Sequence, residues 1–119
     1  MNLFADVVAT PVGSCVVTMR GARVAGVRMG DRLRAGELPR RLPRARRWLA
    51  AWFAGRPSSP RLDLSGVTAF ERRVYSAARR IRRGGTKSYG DLARAAGLPG
   101  AARAVGGAMG RNPVTFFIP

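Results

Sequence analysis

The first thirty residues alternate apolar and polar side chains, which is the pattern of β-strands with one buried face. Strands are predicted over residues 3–9 and within residues 11–29, where valine recurs. The predicted hairpin turn lies at residues 20–22, because Gly21 accepts a positive φ. Cys15 falls within this small antiparallel meander, where a thiol is more often a buried apolar group than a nucleophile.

An amphipathic helix is predicted next, over residues 44–54. From Ala45 onward, apolar residues recur at i, i+3, i+4, i+7 and i+8, with arginine on the opposite side. Both tryptophans belong to this apolar stripe, so packing in a core is favoured over stacking on nucleic-acid bases. The preceding residues 30–43 are predicted to be an arginine-rich connection, and Gly55 the end of the helix.

A shift in composition divides the chain into two parts. Residues 56–66 contain proline and serine and are predicted to be a linker. Strands rich in β-branched residues precede this linker, and helices rich in alanine, arginine and glycine follow it. We therefore predict an N-terminal part over residues 1–55 and a C-terminal part over residues 67–119.

The C-terminal part opens with a helix that carries a strong start signal. Thr68 and Glu71 match a capping box, and the apolar residues that follow, up to Ile81, share one helical face. The helix is expected to end at Gly84-Gly85. Its outer face is predicted to carry Arg72, Arg73, Arg79, Arg80 and Arg83.

Two short helices joined by a tight turn are predicted after it. Ser88 is a suitable N-cap with Asp91 at the third helical position, and Gly97 ends this helix. The second helix is predicted from about Ala101 to Met109. The pair is typical of a helix-turn-helix, although many helical hairpins share this pattern.

The second of these helices has few side chains of any size. Gly106 and Gly107 lie in its interior, where each glycine costs about 1 kcal/mol relative to alanine. Close approach of another surface is the usual compensation. That surface is either a neighbouring helix or a nucleic-acid groove, into which Arg103 would project alone. After this helix, residues 114–118 are predicted to form a buried strand.

Charge narrows the choice of partner. The 119 residues carry 22 Lys+Arg against 6 Asp+Glu, a net charge of +16, while the apolar fraction of 46% favours a globular protein over wholesale disorder. The basic residues cluster within residues 32–47 and 72–87, among helical apolar positions. Nucleic acid is the favoured partner and an anionic membrane the second. Codon bias in a GC-rich genome is the alternative explanation of the arginine excess.

Counts of reactive residues exclude several kinds of chemistry. The 119 residues include no histidine and one cysteine. These counts exclude a Ser-His-Asp triad, a histidine-ligated metal and an internal disulfide within them. Neither a metal nor a cofactor is expected. The longest apolar stretch, residues 48–54, is far shorter than the roughly 20 residues that span a bilayer. With no signal peptide recognised, a cytoplasmic location is expected.

Several motifs resemble the O6-alkylguanine-DNA alkyltransferases, which are the methylated-DNA–protein-cysteine methyltransferases of direct DNA repair. The resemblance extends over residues 70–85 and, more loosely, over Thr-Pro-Val-Gly at residues 10–13, so it spans most of the chain. The motifs that carry it are Ser88-Tyr89-Gly90, Ala102-Arg103-Ala104-Val105-Gly106-Gly107-Ala108-Met109, Arg111-Asn112-Pro113 and Phe117-Ile118-Pro119.

This resemblance implies an α/β fold, with a small ribonuclease-H-like antiparallel sheet before a helical DNA-binding part. It implies that the second helix binds the DNA minor groove and that the damaged guanine is flipped out. Arg103 would then fill the gap left by the flipped base, and Tyr89 would push the target phosphate. Ala101 and Ala102 would lie against the groove.

The remaining implied roles surround that helix. Thr86 and Ser88 would lie near the phosphate backbone, Met109 would line the pocket wall, and Asn112 would brace the reactive turn. The partner would be double-stranded DNA containing O6-alkylguanine, bound by a monomer.

The family's reaction is a single-turnover transfer of the alkyl group to a cysteine thiolate, and its motif continues Ile-Pro-Cys-His-Arg. This sequence ends at Ile118-Pro119, so the acceptor cysteine is expected immediately after Pro119 and the chain is interpreted as truncated. A non-catalytic DNA-binding module and an inactive fragment are the alternatives.

Overall fold

The computed structural model describes residues 1–82 and 84–119, and Arg83, predicted on a helix surface, lies outside the described residues. The chain divides into two compact units. The sheet unit contains residues Met1–Asp63 and Pro113–Phe117. The helical unit contains Leu64–Asn112 and Ile118–Pro119. The division into domains at residues 56–66 stays a prediction.

A four-stranded sheet is the centre of the sheet unit, with strand order β3-β2-β1-β4. Its strands are β1 (Leu3–Thr10), β2 (Gly13–Arg20), β3 (Arg23–Met29) and β4 (Glu37–Pro39). The predicted antiparallel meander is confirmed for β1, β2 and β3. Gly21 makes its turn with a φ of 60°. The segment predicted as a plain connection contains β4, which pairs parallel with β1 over three residues starting at Leu3↔Glu37.

The core of the sheet unit is built mainly on β2, the central antiparallel strand. Cys15, Val16 and Val17 are completely buried, in agreement with the interpretation of the cysteine as a small apolar group. Burial raises the pKa of the Cys15 thiol, because desolvation disfavours the thiolate.

Two remote segments cover the outer edge of β3. The Val24 amide donates to the Arg61 carbonyl at 2.9 Å, and the Val27 amide donates to the Pro113 carbonyl at 3.0 Å. The prediction of a strand over residues 114–118 is wrong, because a single bridge joins Val114 to Val27. Phe116 then takes a left-handed φ of 74°, which breaks extended backbone.

Helix α1 (Pro43–Phe53) confirms the amphipathic helix and begins with proline at its first turn. Two aromatic rings of α1 contact Phe116. The ring centroid of Trp52 lies 4.8 Å from that of Phe116, and the ring centroid of Phe53 lies 5.0 Å from it. Trp52 therefore packs in an aromatic cluster, although both tryptophans are half-buried and neither belongs to the fully buried core. The Arg44 guanidinium lies over the Trp48 ring at 5.4 Å.

A part-buried ion pair attaches α1 to the sheet. The Asp6 carboxylate of β1 accepts from Arg46 Nε at 2.8 Å and from the Leu42 amide at 2.9 Å. The Arg46 hydrogen bond holds the pKa of the Asp6 carboxyl below its ordinary value, against the opposing effect of burial.

The helical unit contains α2 (Ala69–Ala78), α3 (Tyr89–Ala95) and α4 (Ala102–Gly110). The predicted capping box is present, since the Glu71 amide donates to Thr68 Oγ1 and the Thr68 amide donates to Glu71 Oε1. The predicted end of this helix at Gly84-Gly85 is wrong. Hydrogen bonds of the tighter i→i−3 type replace the helix after Ala78, so Arg79, Arg80 and Ile81 lie beyond it. Within the described residues, no helix is long and apolar enough to cross a membrane.

Candidate nucleic-acid interface

A buried hydrogen bond fixes α4 against α2. Tyr75 of α2 is completely buried, and its hydroxyl donates to the Ala108 carbonyl of α4 at 2.7 Å. Val105 and Ala108 form the buried side of α4. Because this side is turned toward α2 and the core, the opposite side of α4 is set toward solvent.

Helix α3 is capped at both of its ends. Ser88 caps α3, because its Oγ accepts from the Asp91 amide at 3.0 Å, as predicted. At the other end of α3, Gly97 has a φ of 75°. Arg73 of α2 donates to the Ala96 carbonyl at 3.0 Å, which satisfies a free carbonyl of the last turn. The structure thus has the helix-turn-helix arrangement that the sequence pattern indicated.

The exposed side of α4 carries almost no side chains. It consists of Arg103, Ala104, Gly107 and Gly110, all of them exposed. Ala101 and Ala102, predicted to lie against a groove, are half-buried at the start of the helix. Ala104 and Gly107 belong to the small residues noted in the sequence but were not among those predicted to bind DNA, although the spacing i, i+1, i+4 from Arg103 places them on one helical face. We call these four residues the smooth face.

Tyr89 explains the first glycine in α4. Its side chain is 53% exposed, and a Cβ added at Gly106 would lie 3.0 Å from two of its ring carbons. This distance is well below the ordinary carbon–carbon separation of about 3.5–4.0 Å. Contact between neighbouring helices, rather than a groove, is therefore the structural reason for glycine at position 106.

Arg111 explains the second glycine. A Cβ at Gly107 would lie 3.2 Å from Arg111 Nη1, so the Arg111 side chain runs back beside the smooth face. Its Nε donates to Glu71 Oε2 at 3.0 Å. The Thr68 amide and then Arg111 lower the pKa of the Glu71 carboxyl. Sequence reasoning assigned no role to this pair, because its partners are 40 residues apart and no periodic signal relates them.

The other predicted site residues lie at the two ends of the helix pair. Thr86 and Ser88 are exposed just before α3, next to Tyr89. Met109 is half-buried near the end of α4. Asn112 follows α4, and its Nδ2 donates to the Ile118 carbonyl at 2.6 Å. The structure therefore groups Thr86, Ser88 and Tyr89 at the start of α3, whereas Met109 and Asn112 lie at the far end of α4.

The charge of the helical unit is strongly unbalanced. By sequence it holds ten basic residues and two acidic residues. Both acidic residues are occupied, since Glu71 pairs with Arg111 and Asp91 pairs with Arg94. Arg103 is exposed and forms no ion pair with any residue that the structure describes. An unbalanced surface of this kind attracts polyanions.

The described residues contain no group of three histidine, cysteine, aspartate or glutamate side chains that could hold a metal ion. The smooth face offers binding through its small side chains and the positive charge of Arg103. It contains no cysteine, because Cys15 is buried in β2 of the sheet unit.

Comparison with known proteins places these features in a family. Residues 69–119 match the family described as "6-O-methylguanine DNA methyltransferase, DNA binding domain". The chain is 40% identical over 120 residues to a methylated-DNA–protein-cysteine methyltransferase of Mycolicibacterium paratuberculosis, a match that covers 94% of this chain and 72% of the relative. A protein of the same description from Mycobacterium leprae is 38% identical over 118 residues, covering 92% and 71%.

Solved structures agree with the sequence relatives. The fold is similar to that of Mycobacterium tuberculosis OGT crystallised in complex with DNA, with a TM-score of 0.87 and 35% identity. That similarity covers 98% of this chain and 74% of the other. The protein therefore belongs to the methylated-DNA–protein-cysteine methyltransferase family of DNA-repair proteins.

Proposed function

We propose that the helical unit binds double-stranded DNA by laying the smooth face of α4 in the minor groove. The observation that carries this proposal is the combination of Ala104, Gly107 and Gly110 with Arg103, which pairs with no carboxylate of the described residues. Their helix is fixed by the Tyr75 hydrogen bond. Small side chains allow a helix backbone to approach the floor of a narrow groove. The relative from M. tuberculosis was crystallised with DNA, which supports the same partner here.

Arg103 is proposed to occupy the space left when a damaged guanine rotates out of the stack. It lies in the first turn of α4, is exposed and is not held by a carboxylate of the described residues. An unstacked base leaves a gap whose cost a planar guanidinium can offset by stacking and hydrogen bonding. Ala101 and Ala102, beside it, are proposed to lie along the groove wall.

Tyr89 is proposed to press on the phosphate of the rotating nucleotide. Its ring rests on Gly106, which leaves half of the side chain exposed beside the smooth face. Thr86 and Ser88 stand next to it and are proposed to contact the neighbouring backbone. Hydrogen bonds to phosphates fix the position of a protein on a duplex without reading its sequence.

The substrate class is proposed to be O6-alkylguanine, bound by a monomer in the cytoplasm. Met109 would line the pocket for the flipped base, and Asn112 would brace the adjacent turn through its hydrogen bond to the Ile118 carbonyl. In the family reaction a cysteine thiolate attacks the alkyl carbon, the bond to guanine O6 breaks, and the protein keeps the alkyl group.

Cys15 is not proposed as the acceptor in that reaction. It is completely buried and the pKa of its thiol is raised, whereas a nucleophilic cysteine needs exposure and a lowered pKa. The burial of Cys15 favours a second candidate function for these 119 residues, which is binding of damaged DNA without transfer. Both candidates share the interface on α4.

Fluorescence anisotropy with an O6-methylguanine duplex tests the shared interface. Arg103→Ala is compared with Arg47→Ala, which removes the same charge from an exposed position of the sheet unit. We expect Arg103→Ala to weaken binding severalfold more than Arg47→Ala, and affinity to fall steeply with salt. Equal affinity of the two variants, or binding that does not depend on salt, would remove the support for this interface.

A further inference from the structure

A cleft between α2 and α3 is lined by three arginines of the helical unit. Its volume is about 340 Å³, and Arg72, Arg73, Ser76 and Arg80 line one side while Ala95 and Ala96 line the other. None of the lining residues is acidic. The cleft is separate from the smooth face, and no role proposed above uses it.

Two of these arginines are held in place by backbone carbonyls. Arg72 Nη2 donates to the Leu64 carbonyl at 3.0 Å, and Arg73 Nη2 donates to the Ala96 carbonyl at 3.0 Å. Each guanidinium has five N–H donors, so most donors remain available after these contacts. Side chains fixed in this way lose less conformational freedom when a ligand binds.

The unit's carboxylates do not compete for these arginines. Glu71 is occupied by Arg111 and the Thr68 amide, and Asp91 is occupied by Arg94. Ser76 is exposed and adds a hydroxyl donor. Three guanidiniums and a hydroxyl around small alanine side chains match a tetrahedral oxyanion, because arginine donates two parallel hydrogen bonds to phosphate.

We propose that this cleft is a second phosphate site, which binds a phosphodiester of the DNA backbone outside the groove occupied by α4. The inference rests on the proposed function, since it assumes that DNA is the partner. Arg73 and Arg80 hold the phosphate oxygens, Ser76 donates the further hydrogen bond, and Arg72 adds positive charge. The site lengthens the contact with the duplex and adds affinity that does not depend on sequence.

Salt titration of DNA binding tests the site in the full chain. The variants are Arg80→Gln and Ser76→Glu, and Arg56→Gln is the matched control because it removes the same charge from an exposed position of the sheet unit. Losing one phosphate contact lowers the slope of log K against log salt by about 0.9. We expect this reduction for Arg80→Gln, a larger loss of affinity for Ser76→Glu, and no comparable change for Arg56→Gln.

Parallel measurements separate the possible failures. If Arg80→Gln has the slope of Arg56→Gln while Arg103→Ala weakens binding, the cleft proposal is overturned and the α4 interface stands. If Arg103→Ala has no effect while Arg80→Gln lowers the slope, the cleft stands and the α4 interface fails. Inorganic phosphate, titrated at constant ionic strength, is the third arm. Backbone amide NMR signals of Ser76 and Ala95 could shift on adding phosphate although Arg80→Gln has no effect on DNA binding. That result would show a site for free phosphate and overturn the proposal.

Discussion

Replacing Gly106 by alanine should change the stability of the fold and the affinity for DNA in opposite directions. The added Cβ would lie 3.0 Å from the Cδ2 and Cε2 atoms of Tyr89. Ordinary carbon contacts are about 3.5–4.0 Å, so the ring has to move outward by about 0.5–1 Å. Since Tyr89 is 53% exposed, it has room to do so.

The effect on folding should be small or favourable. Alanine in a helix interior is better than glycine by about 1 kcal/mol, and this gain opposes the loss of part of the ring contact. We expect a free energy of unfolding between the wild-type value and about 1 kcal/mol above it. Urea denaturation followed by circular dichroism measures this quantity.

The effect on DNA binding should have the opposite sign. A displaced Tyr89 loses its proposed phosphate contact, which is about 0.5–1.5 kcal/mol for one hydrogen bond. This corresponds to a roughly two- to tenfold weaker Kd. Anisotropy on the O6-methylguanine duplex provides the measurement.

Gly66→Ala is the control, because an added Cβ there meets nothing within 4 Å. It changes glycine to alanine in the helical unit, outside α4 and its smooth face and without touching Tyr89. If Gly106→Ala binds DNA as tightly as Gly66→Ala does, the position of Tyr89 does not matter and the reasoning is refuted. A loss of stability above about 1 kcal/mol would show that the Tyr89 ring cannot yield.

Three further predictions concern the supporting structure. Tyr75→Phe removes the hydrogen bond to Ala108 and should cost about 1 kcal/mol, seen as a Tm lower by about 2–8 °C; an unchanged Tm would contradict it. Because Arg46 lowers the pKa of Asp6, this pair stabilises the fold above the ordinary carboxyl pKa of 3.8 and is lost as pH falls through the lower folded value. Asp6→Asn should therefore flatten the acid side of the stability profile, and equal acid sensitivity would refute this. Intact mass after incubation with an O6-methylguanine oligonucleotide should show no methyl group on Cys15, whose thiol is buried.

Local signals allowed much of the helical unit to be predicted. The capping box at Thr68 and the cap at Ser88 act within one turn of helix, so their residue types alone identify where α2 and α3 begin. The positive φ of Gly97 similarly follows from its place after a short helix. The end of α2 was not predictable in this way, because the apolar spacing continues to Ile81 while the backbone tightens after Ala78.

Contacts between distant residues could not be predicted from the pattern. Strand β4 is three residues long, and its pairing with β1 joins segments more than thirty residues apart. The turn at Phe116 depends on packing against Trp52 and Phe53, whereas its apolar neighbours suggested a strand. In the candidate site, Gly106 and Gly107 indicated that another surface approaches α4 closely. The structure was needed to identify Tyr89 and Arg111 as those neighbours.

The central claim is that α4 holds DNA with a base flipped out and Arg103 in its place. A duplex with 2-aminopurine beside an O6-methylguanine reports this directly, because 2-aminopurine brightens when its stacking partner leaves. At saturating protein, the wild-type chain should raise the fluorescence, and Arg103→Ala should raise it much less although the duplex is fully bound. An equal rise with both proteins, or no rise with the wild-type chain, would contradict the account.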